Sequence, residues 1–152
     1  MERIRGFEVV ADDKRRTEGA LTLPKCATAS SAAYDFYAPV DAVIAPMQSV
    51  MIWTDVKAYF PVDEVLLINV RSSMGKQPVM LANTQGWIDA DYYGNPDNDG
   101  NIGLRLFNLG QSEYIIKRGD RIGQGMFVKT LRADQGDSAA KRLGGFGSTN
   151  QQ

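Results

Sequence analysis

The feature that most narrows the fold is a series of short strand-like segments that recur along the chain. Clusters of Gly, Pro, Asn and Asp separate them at intervals of about ten residues. No long stretch carries apolar residues at helical spacing, and at most a short helix or turn is expected after Arg71. This pattern predicts an all-β fold, either a barrel or a jelly-roll-like sandwich. The predicted strands are 7–10, 21–23, 42–45, 50–54, 65–70, 79–82, 102–107, 114–116 and 121–129.

Composition narrows the class of protein further. A chain of 152 residues, 43% of them hydrophobic, is long enough for one domain with its own core. The 17 Lys and Arg residues nearly balance the 18 Asp and Glu residues, which argues against a nucleic-acid polymer as a partner. With neither a membrane-length apolar run nor a signal-peptide pattern, no membrane association is expected. The single cysteine, Cys26, rules out an internal disulfide and fits a reducing compartment such as the cytoplasm.

The absence of histidine from the sequence restricts the chemistry. It excludes a Ser-His-Asp or Cys-His arrangement, and with a single cysteine it argues against a zinc site. A general base in this protein is therefore expected to be Asp, Glu or Lys. A metal ion is expected to be a hard cation held by oxygen atoms, with Mg²⁺ as the first candidate.

One candidate base lies in the segment 86–94, an apolar run that contains two carboxylates and has a glycine at each end. Trp87 and Ile88 favour a strand, and the glycines are turn signals. Asp89 would then lie at a strand end beside apolar neighbours, where a carboxylate must be paired, hydrated or used chemically. For an isolated residue, the simpler interpretation is an aspartate that caps a turn.

Two other segments carry groups suited to phosphate. Arg71 ends a predicted strand and is followed by the hydroxyls of Ser72 and Ser73, which suit phosphate oxygens through charge-assisted hydrogen bonds. Near the C-terminus, the segment 144–150 places Phe146 among glycines and hydroxyl residues, after a small and polar stretch. This composition favours an arm that closes over a nucleotide rather than a disordered tail.

Taken together and in order, these segments resemble the motifs of the homotrimeric dUTPase family, which includes phage-encoded members. Each motif alone is moderately specific, but five in the same order are highly specific. The resemblance covers nearly the whole chain. The matching segments are 32–35, 71–73, 83–94, 119–124 and 144–149.

The resemblance implies a distorted jelly-roll β-barrel with little helix and a flexible C-terminal arm. The barrel domain would cover residues 1–132, and the linker and active-site arm would cover 133–152. Three subunits would form a ring whose active sites are shared between subunits. The implied activity is that of a dUTP diphosphatase, which hydrolyses dUTP to dUMP and pyrophosphate with Mg²⁺.

The same resemblance assigns roles around the nucleoside. Asp89 would be the general base that activates the attacking water. Tyr92 would pack against the deoxyribose and exclude a ribose 2′-hydroxyl, and Phe146 would stack on the uracil as the arm closes. The residues implied to seat the nucleotide beside them are Asn83, Gly86, Trp87, Ile88, Gly147 and Ser148.

The triphosphate would be held by residues of the other motifs, and Asp35 would bind the Mg²⁺ shell through water. The family's fifth motif usually has an arginine three residues before its first paired glycine. Lys141 occupies that place here and Arg142 follows it, so which of the two reaches the terminal phosphate stays open. The residues implied to hold the phosphates are Arg71, Ser72, Ser73, Gln124 and Arg142.

Residues 95–100 lengthen the third motif relative to the family. They do not form a calcium loop, because Leu106 occupies the twelfth position, where glutamate is required. We interpret them as an exposed hairpin tip. Some phage-encoded dUTPases bind regulatory proteins, so this hairpin is a candidate docking surface for a regulatory protein partner.

The nearest alternative enzyme is dCTP deaminase, which has the same fold. That family carries a catalytic glutamate three residues before an asparagine in the strand after the third motif. Arg105 occupies that place relative to Asn108, and a Gly-Gly-Phe-Gly-Ser-Thr arm is not typical of deaminases. Deamination is therefore disfavoured.

Overall fold

The computed structural model describes residues 2–147 and consists almost entirely of short β-strands. The helical elements are α1 (Ser72–Gly75) and two 3₁₀ turns (Asp12–Lys14 and Ala90–Tyr92). The strands are β1 (Gly6–Val9), β2 (Lys25–Cys26), β3 (Tyr34–Tyr37), β4 (Ala42–Ile44), β5 (Ser49–Trp53), β6 (Val56–Tyr59), β7 (Glu64–Asn69), β8 (Val79–Leu81), β9 (Gly86–Asp89), β10 (Gly103–Asn108), β11 (Tyr114–Ile116) and β12 (Arg121–Lys129).

The strands form four antiparallel sheets. The largest has the order β2-β3-β12-β7-β9, the next has the order β5-β10-β8, and the pairs β1-β6 and β11-β4 complete the fold. The predicted all-β class is confirmed, and the arrangement is that of a jelly roll. Within residues 2–147 no sheet closes on itself into a barrel.

One hydrophobic core joins all four sheets. The alternation of side chains along β10 buries Leu104 and Leu106 and leaves Arg105 exposed between them. Phe36 of β3 and Leu66 of β7 contribute to the same core from the large sheet. No helix in the described part of the chain is long and apolar enough to cross a membrane.

The sequence missed some elements of this fold. The strand predicted at 21–23 is absent, whereas β2, β3 and β6 were not predicted. The segment 95–101 is only partly exposed: Asn95, Asn98 and Asn101 are buried, whereas Pro96 and Asp97 are exposed. The interpretation as an exposed hairpin tip was wrong for the three asparagines, because polar turn residues were taken to be solvated, whereas their side chains bond to other protein groups.

A buried carboxylate ties the N-terminal loop to the centre of the molecule. Asp55 is fully buried and accepts hydrogen bonds from the backbone N–H groups of Arg16 (3.0 Å) and Thr17 (2.9 Å). Its backbone and side chain also exchange two bonds with the Asn101 amide, at 2.9 and 2.8 Å. Asp55 has a φ of 57°, a left-handed conformation that Asp and Asn tolerate better than most residues.

Replacing Asp55 should therefore destabilise the fold. Asp55→Ala leaves the buried Asn101 Nδ2 without its acceptor and places alanine at positive φ. We expect it to lower the free energy of unfolding by about 3 kcal/mol or more. Asp55→Asn, which tolerates the backbone conformation, should cost less. Asp63→Ala, at an exposed aspartate, is the control for chemical denaturation, and an equal loss in both alanine variants would contradict the assignment.

Candidate functional site

A cavity of about 200 Å³ lies beside the end of β9. The side chains and backbone of β9 form one wall, and residues of β7, β8 and β10 form the floor. The C-terminal segment lies over the opening. Most of the predicted nucleoside residues come together here. The lining consists of Ile68, Leu81, Asn83, Gly86, Trp87, Ile88, Asp89, Tyr92, Gly103, Leu104, Arg142, Gly145 and Phe146.

Antiparallel pairing with β7 fixes where Asp89 lies. Gly86 is opposite Ile68 and Asp89 is opposite Val65, so the ladder ends with the carboxylate at the cavity wall. The Asp89 side chain is 58% exposed. The prediction of a carboxylate at a strand end is confirmed, and Asp89 is accessible to a ligand in the cavity.

An arginine of the C-terminal segment holds this carboxylate. The Arg142 Nη2 donates to Asp89 Oδ2 at 2.6 Å, and Arg142 Nε donates to Asp91 Oδ1 at 2.8 Å. The guanidinium also lies 5.9 Å from the centre of the Tyr92 ring. Arg142 thus contacts two carboxylates beside the cavity. The sequence signal that could have indicated Asp91 is its spacing of two residues from Asp89.

Tyr92 forms a rigid part of the cavity wall. Its ring is buried, and burial raises the pKa of its hydroxyl above the usual value, so the phenol stays protonated at neutral pH. The hydroxyl donates to the carbonyl oxygen of Asn101 at 2.5 Å and accepts from Asn98 Nδ2 at 2.8 Å. The sequence analysis missed both asparagines as partners of this site.

Phe146 lies at the cavity opening against an aromatic residue outside every predicted motif. Its ring is 5.3 Å from the Trp53 ring at an interplanar angle of 79°, and the Arg16 guanidinium lies 4.4 Å from Trp53. Edge-to-face pairs and cation–π contacts of this kind are favourable. Trp53 and Arg16 are far from Phe146 in sequence, so spacing alone could not have indicated them.

Four of the five predicted phosphate residues line a second pocket of about 520 Å³, whereas the fifth, Arg142, lies at the first cavity. Gln124 of β12 lies opposite Asp35 of β3 and opposite Asn69 of β7, which brings three motifs together. Ser72 and Ser73 are exposed at the start of α1. The lining consists of Ala27, Ser31, Ala32, Ala33, Asp35, Arg71, Ser72, Ser73 and Gln124.

Asp35 is the buried acid of this second pocket. It accepts hydrogen bonds from Arg71 Nε at 3.0 Å and from Arg121 Nη1 at 3.4 Å. Among residues 2–147, no three Asp, Glu, Cys or His side chains cluster closely enough to coordinate a metal directly. Two guanidiniums beside one carboxylate instead make a site that suits phosphate oxygens.

The two pockets have no lining residue in common. Gln85 lies between them and donates to Asn69 Oδ1 at 2.9 Å, while its own Oε1 accepts from Trp87 Nε1 at 3.0 Å. Gly147 is exposed beyond Phe146, and Ser148 lies outside the described residues. Apart from Arg142, which lies at the nucleoside cavity, one chain therefore presents the predicted nucleoside and phosphate groups at separate places.

The family model of dUTPase matches residues 20–150 of this chain. The chain belongs to the dUTPase family. The deoxyuridine 5′-triphosphate nucleotidohydrolase of Lactococcus lactis is 41% identical over 150 residues, which cover 97% of this chain and 98% of the relative. The crystal structure of the dUTPase of Streptococcus mutans superimposes with a TM-score of 0.76 at 36% identity, covering 86% of this chain and 99% of that one.

A more distant structural neighbour shows the fold alone. The D95N mutant of the dUTPase from phage phi11 of S. aureus has a TM-score of 0.69 at 18% identity, and the match covers 91% of this chain and 98% of that chain. That protein coordinates a structural Mg²⁺ ion. The resemblance seen in the sequence is thus confirmed at the level of the family, and the protein is a dUTP diphosphatase. Arg105, the residue that disfavours a deaminase, is exposed on β10.

In this dUTPase, Gly145 allows the C-terminal segment to approach Tyr92. A Cβ atom at this position would lie 2.5 Å from Tyr92 Cε2. Gly145→Ala should therefore hold the segment away from the cavity and raise the KM for dUTP about tenfold, because small displacements of groups around a substrate have large effects. Steady-state kinetics would measure this. Leu143→Ala, at an exposed residue of the same segment, is the control, and an unchanged KM in Gly145→Ala would contradict the contact.

Proposed function

We propose that this dUTPase hydrolyses dUTP to dUMP and pyrophosphate with Asp89 as the base that takes a proton from the attacking water. The observation that carries this proposal is the position of Asp89, an accessible carboxylate at the wall of the cavity that also contains Tyr92 and Phe146. With no histidine in the chain, a carboxylate is the natural base.

The cavity supports the nucleoside roles. Tyr92 offers a buried ring as a wall for the sugar, and the backbone of Gly86 and Ile88 lines the space beside it. Asn83 supplies an exposed amide at the same cavity. Phe146 lies at the opening, where its ring can stack on a base with a gain of roughly 1–3 kcal/mol.

The second pocket supports the phosphate roles. Arg71 supplies a charged donor, Ser72 and Ser73 supply hydroxyls, and Gln124 supplies an amide. The residues present fit Mg²⁺ only through water, because Asp35 is already paired with Arg71 and Arg121. Mg²⁺ usually keeps several waters and binds substrate phosphates with one or two carboxylates, and it would neutralise phosphate charge here.

A shared site would bring the two pockets together. A dUTP molecule needs the nucleoside and phosphate groups at once, yet one chain places them in pockets without a common residue. We therefore propose a homotrimer in which the nucleoside cavity of one subunit faces the phosphate pocket of another.

Arg142 is expected to change partners during the reaction. Its Nη2 donates to Asp89 Oδ2, and this ion pair makes the carboxylate a weaker base than it would be without the guanidinium. The oxygens of a bound triphosphate accept charge-assisted hydrogen bonds and would compete with Asp89 and Asp91 for the guanidinium. Arg142 would then hold the phosphate chain, and both oxygens of Asp89 would be accessible to the attacking water.

Removing the proposed base should slow the reaction without weakening binding. Asp89→Asn keeps the side-chain shape but cannot accept the proton, so we expect kcat to fall by at least about 100-fold with little change in nucleotide affinity. Asp91→Asn removes the neighbouring carboxylate from Arg142 and serves as the matched control, with a small effect on kcat. Near-normal turnover in Asp89→Asn would remove Asp89 from this role.

A substrate panel tests the proposed reaction itself. Pyrophosphate release would be measured for dUTP, dCTP, dTTP and UTP, each with Mg²⁺ and with EDTA. We expect fast release from dUTP alone, and loss of that release in EDTA because the phosphate charge is no longer neutralised. Equal release from UTP would contradict the role of Tyr92, and ammonia from dCTP would indicate a deaminase.

A further inference from the structure

The segment 95–100, which lengthens the third motif, forms a buried network of asparagine side chains behind Tyr92. Asn95 Nδ2 donates to the Tyr92 carbonyl oxygen at 2.8 Å and to Asn98 Oδ1 at 2.7 Å. Asn98 Nδ2 donates to the Tyr92 hydroxyl at 2.8 Å. The two asparagines therefore hold Tyr92 at its backbone and at the far end of its ring.

Every bond in this network fixes the orientation of an amide. Asn98 Oδ1 accepts from the backbone N–H of Gly100 at 3.0 Å as well as from Asn95, so Nδ2 must be the atom that faces Tyr92. Asn95 Oδ1 accepts from the backbone N–H groups of Asp97 and Asn98, each at 3.1 Å. Because both amides are held at donor and acceptor ends, neither can rotate without leaving a buried polar group unpaired.

The turn that carries Asn98 is itself anchored. Asp99 pairs with Lys57 Nζ at 2.7 Å and accepts from the backbone N–H of Ala11 at 2.8 Å. Gly100 has a φ of 89°, and a Cβ atom there would lie 2.8 Å from the Tyr92 carbonyl oxygen. The close approach of the turn to Tyr92 therefore requires glycine at this position.

We propose that Asn98 is a positioning residue that sets the discrimination between deoxyribose and ribose. This inference rests on the proposed role of Tyr92 as the wall against the sugar. Asn98 does not contact the substrate. It acts by holding the Tyr92 hydroxyl from one side while the Asn101 carbonyl holds it from the other.

The physical reason is that excluding a ribose, which has one hydroxyl more than deoxyribose, requires that the Tyr92 ring does not move when the ligand binds. An apolar pocket discriminates weakly against a ligand that merely adds a hydroxyl, because small shifts of the side chains accommodate it. A single hydrogen bond from Tyr92 to Asn101 leaves the ring free to tilt about that contact. A second bond from Asn98 removes this freedom, so the space for a 2′-hydroxyl stays closed.

The first test compares dUTP with UTP as substrates of Asn98→Ala. We expect the ratio of kcat/KM for dUTP to that for UTP to fall about tenfold, because UTP gains access as the ring moves. Asp97→Asn, in the same turn but exposed, is the matched control and should keep the ratio of the unmodified protein. A merely structural role of Asn98 would lower both values of kcat/KM together, and an unchanged ratio would overturn the proposal.

A double-mutant cycle tests whether the effect passes through the Tyr92 hydroxyl. Tyr92→Phe removes the atom that Asn98 contacts, so the change in the ratio for Asn98→Ala combined with Tyr92→Phe should be no larger than that of Tyr92→Phe alone. Additive changes would overturn the proposal. Asn98→Asp preserves the shape of the side chain but lacks the Nδ2 donor to Tyr92. If Asn98→Ala does not fold, the same comparison is made with Asn98→Asp.

Binding of dUMP and UMP, measured by calorimetry, separates this inference from the proposed function. If the unmodified protein binds both equally, the proposed role of Tyr92 fails and this inference fails with it. If the unmodified protein prefers dUMP and Asn98→Ala prefers it equally, the role of Tyr92 stands and the role of Asn98 is overturned.

Discussion

The nucleoside cavity depends on a chain of buried hydrogen bonds that starts at Asp55. Asp55 fixes the Asn101 amide, the Asn101 carbonyl accepts from the Tyr92 hydroxyl, and Asn98 donates to that hydroxyl from the other side. Unpaired polar groups in a protein interior are costly, so each member of such a network constrains the next. The N-terminal loop, held through Thr17, is part of the same structure. The wall of the cavity is therefore supported from well outside the motifs of the family.

The phosphate pocket and the nucleoside cavity have opposite arrangements of charged side chains. In the phosphate pocket, one buried carboxylate, Asp35, lies between the guanidiniums of Arg71 and Arg121. Beside the nucleoside cavity, one guanidinium, that of Arg142, lies between the carboxylates of Asp89 and Asp91. Because exposed opposite charges can exchange partners at little cost, the ion pairs of Arg142 with Asp89 and Asp91 can rearrange around a triphosphate, whereas breaking the pairs of the buried Asp35 would cost more.

The C-terminal segment reaches the cavity through contacts of three kinds. Arg142 contributes ion pairs, Gly145 contributes close approach to Tyr92, and Phe146 contributes an edge-to-face contact with Trp53. Phe146 has a φ of 47°. This left-handed backbone conformation is unfavourable for a bulky residue, so neighbouring contacts must offset its energetic cost. Its ring nevertheless remains 63% exposed, so a stacking surface is available to a ligand.

The sequence by itself determined the all-β class, the family and most residues of both pockets. Strand spacing and the order of motifs can be identified along the chain without knowledge of which segments meet in space. The sequence also placed Asp89 at the end of a strand. Only the tertiary structure decided that Asn95 and Asn98 are buried behind Tyr92, that Asp55 anchors Asn101, and that Phe146 packs against Trp53. These contacts join residues whose polarity suggests solvent, and a polar side chain can be buried only where the fold brings its partner to it.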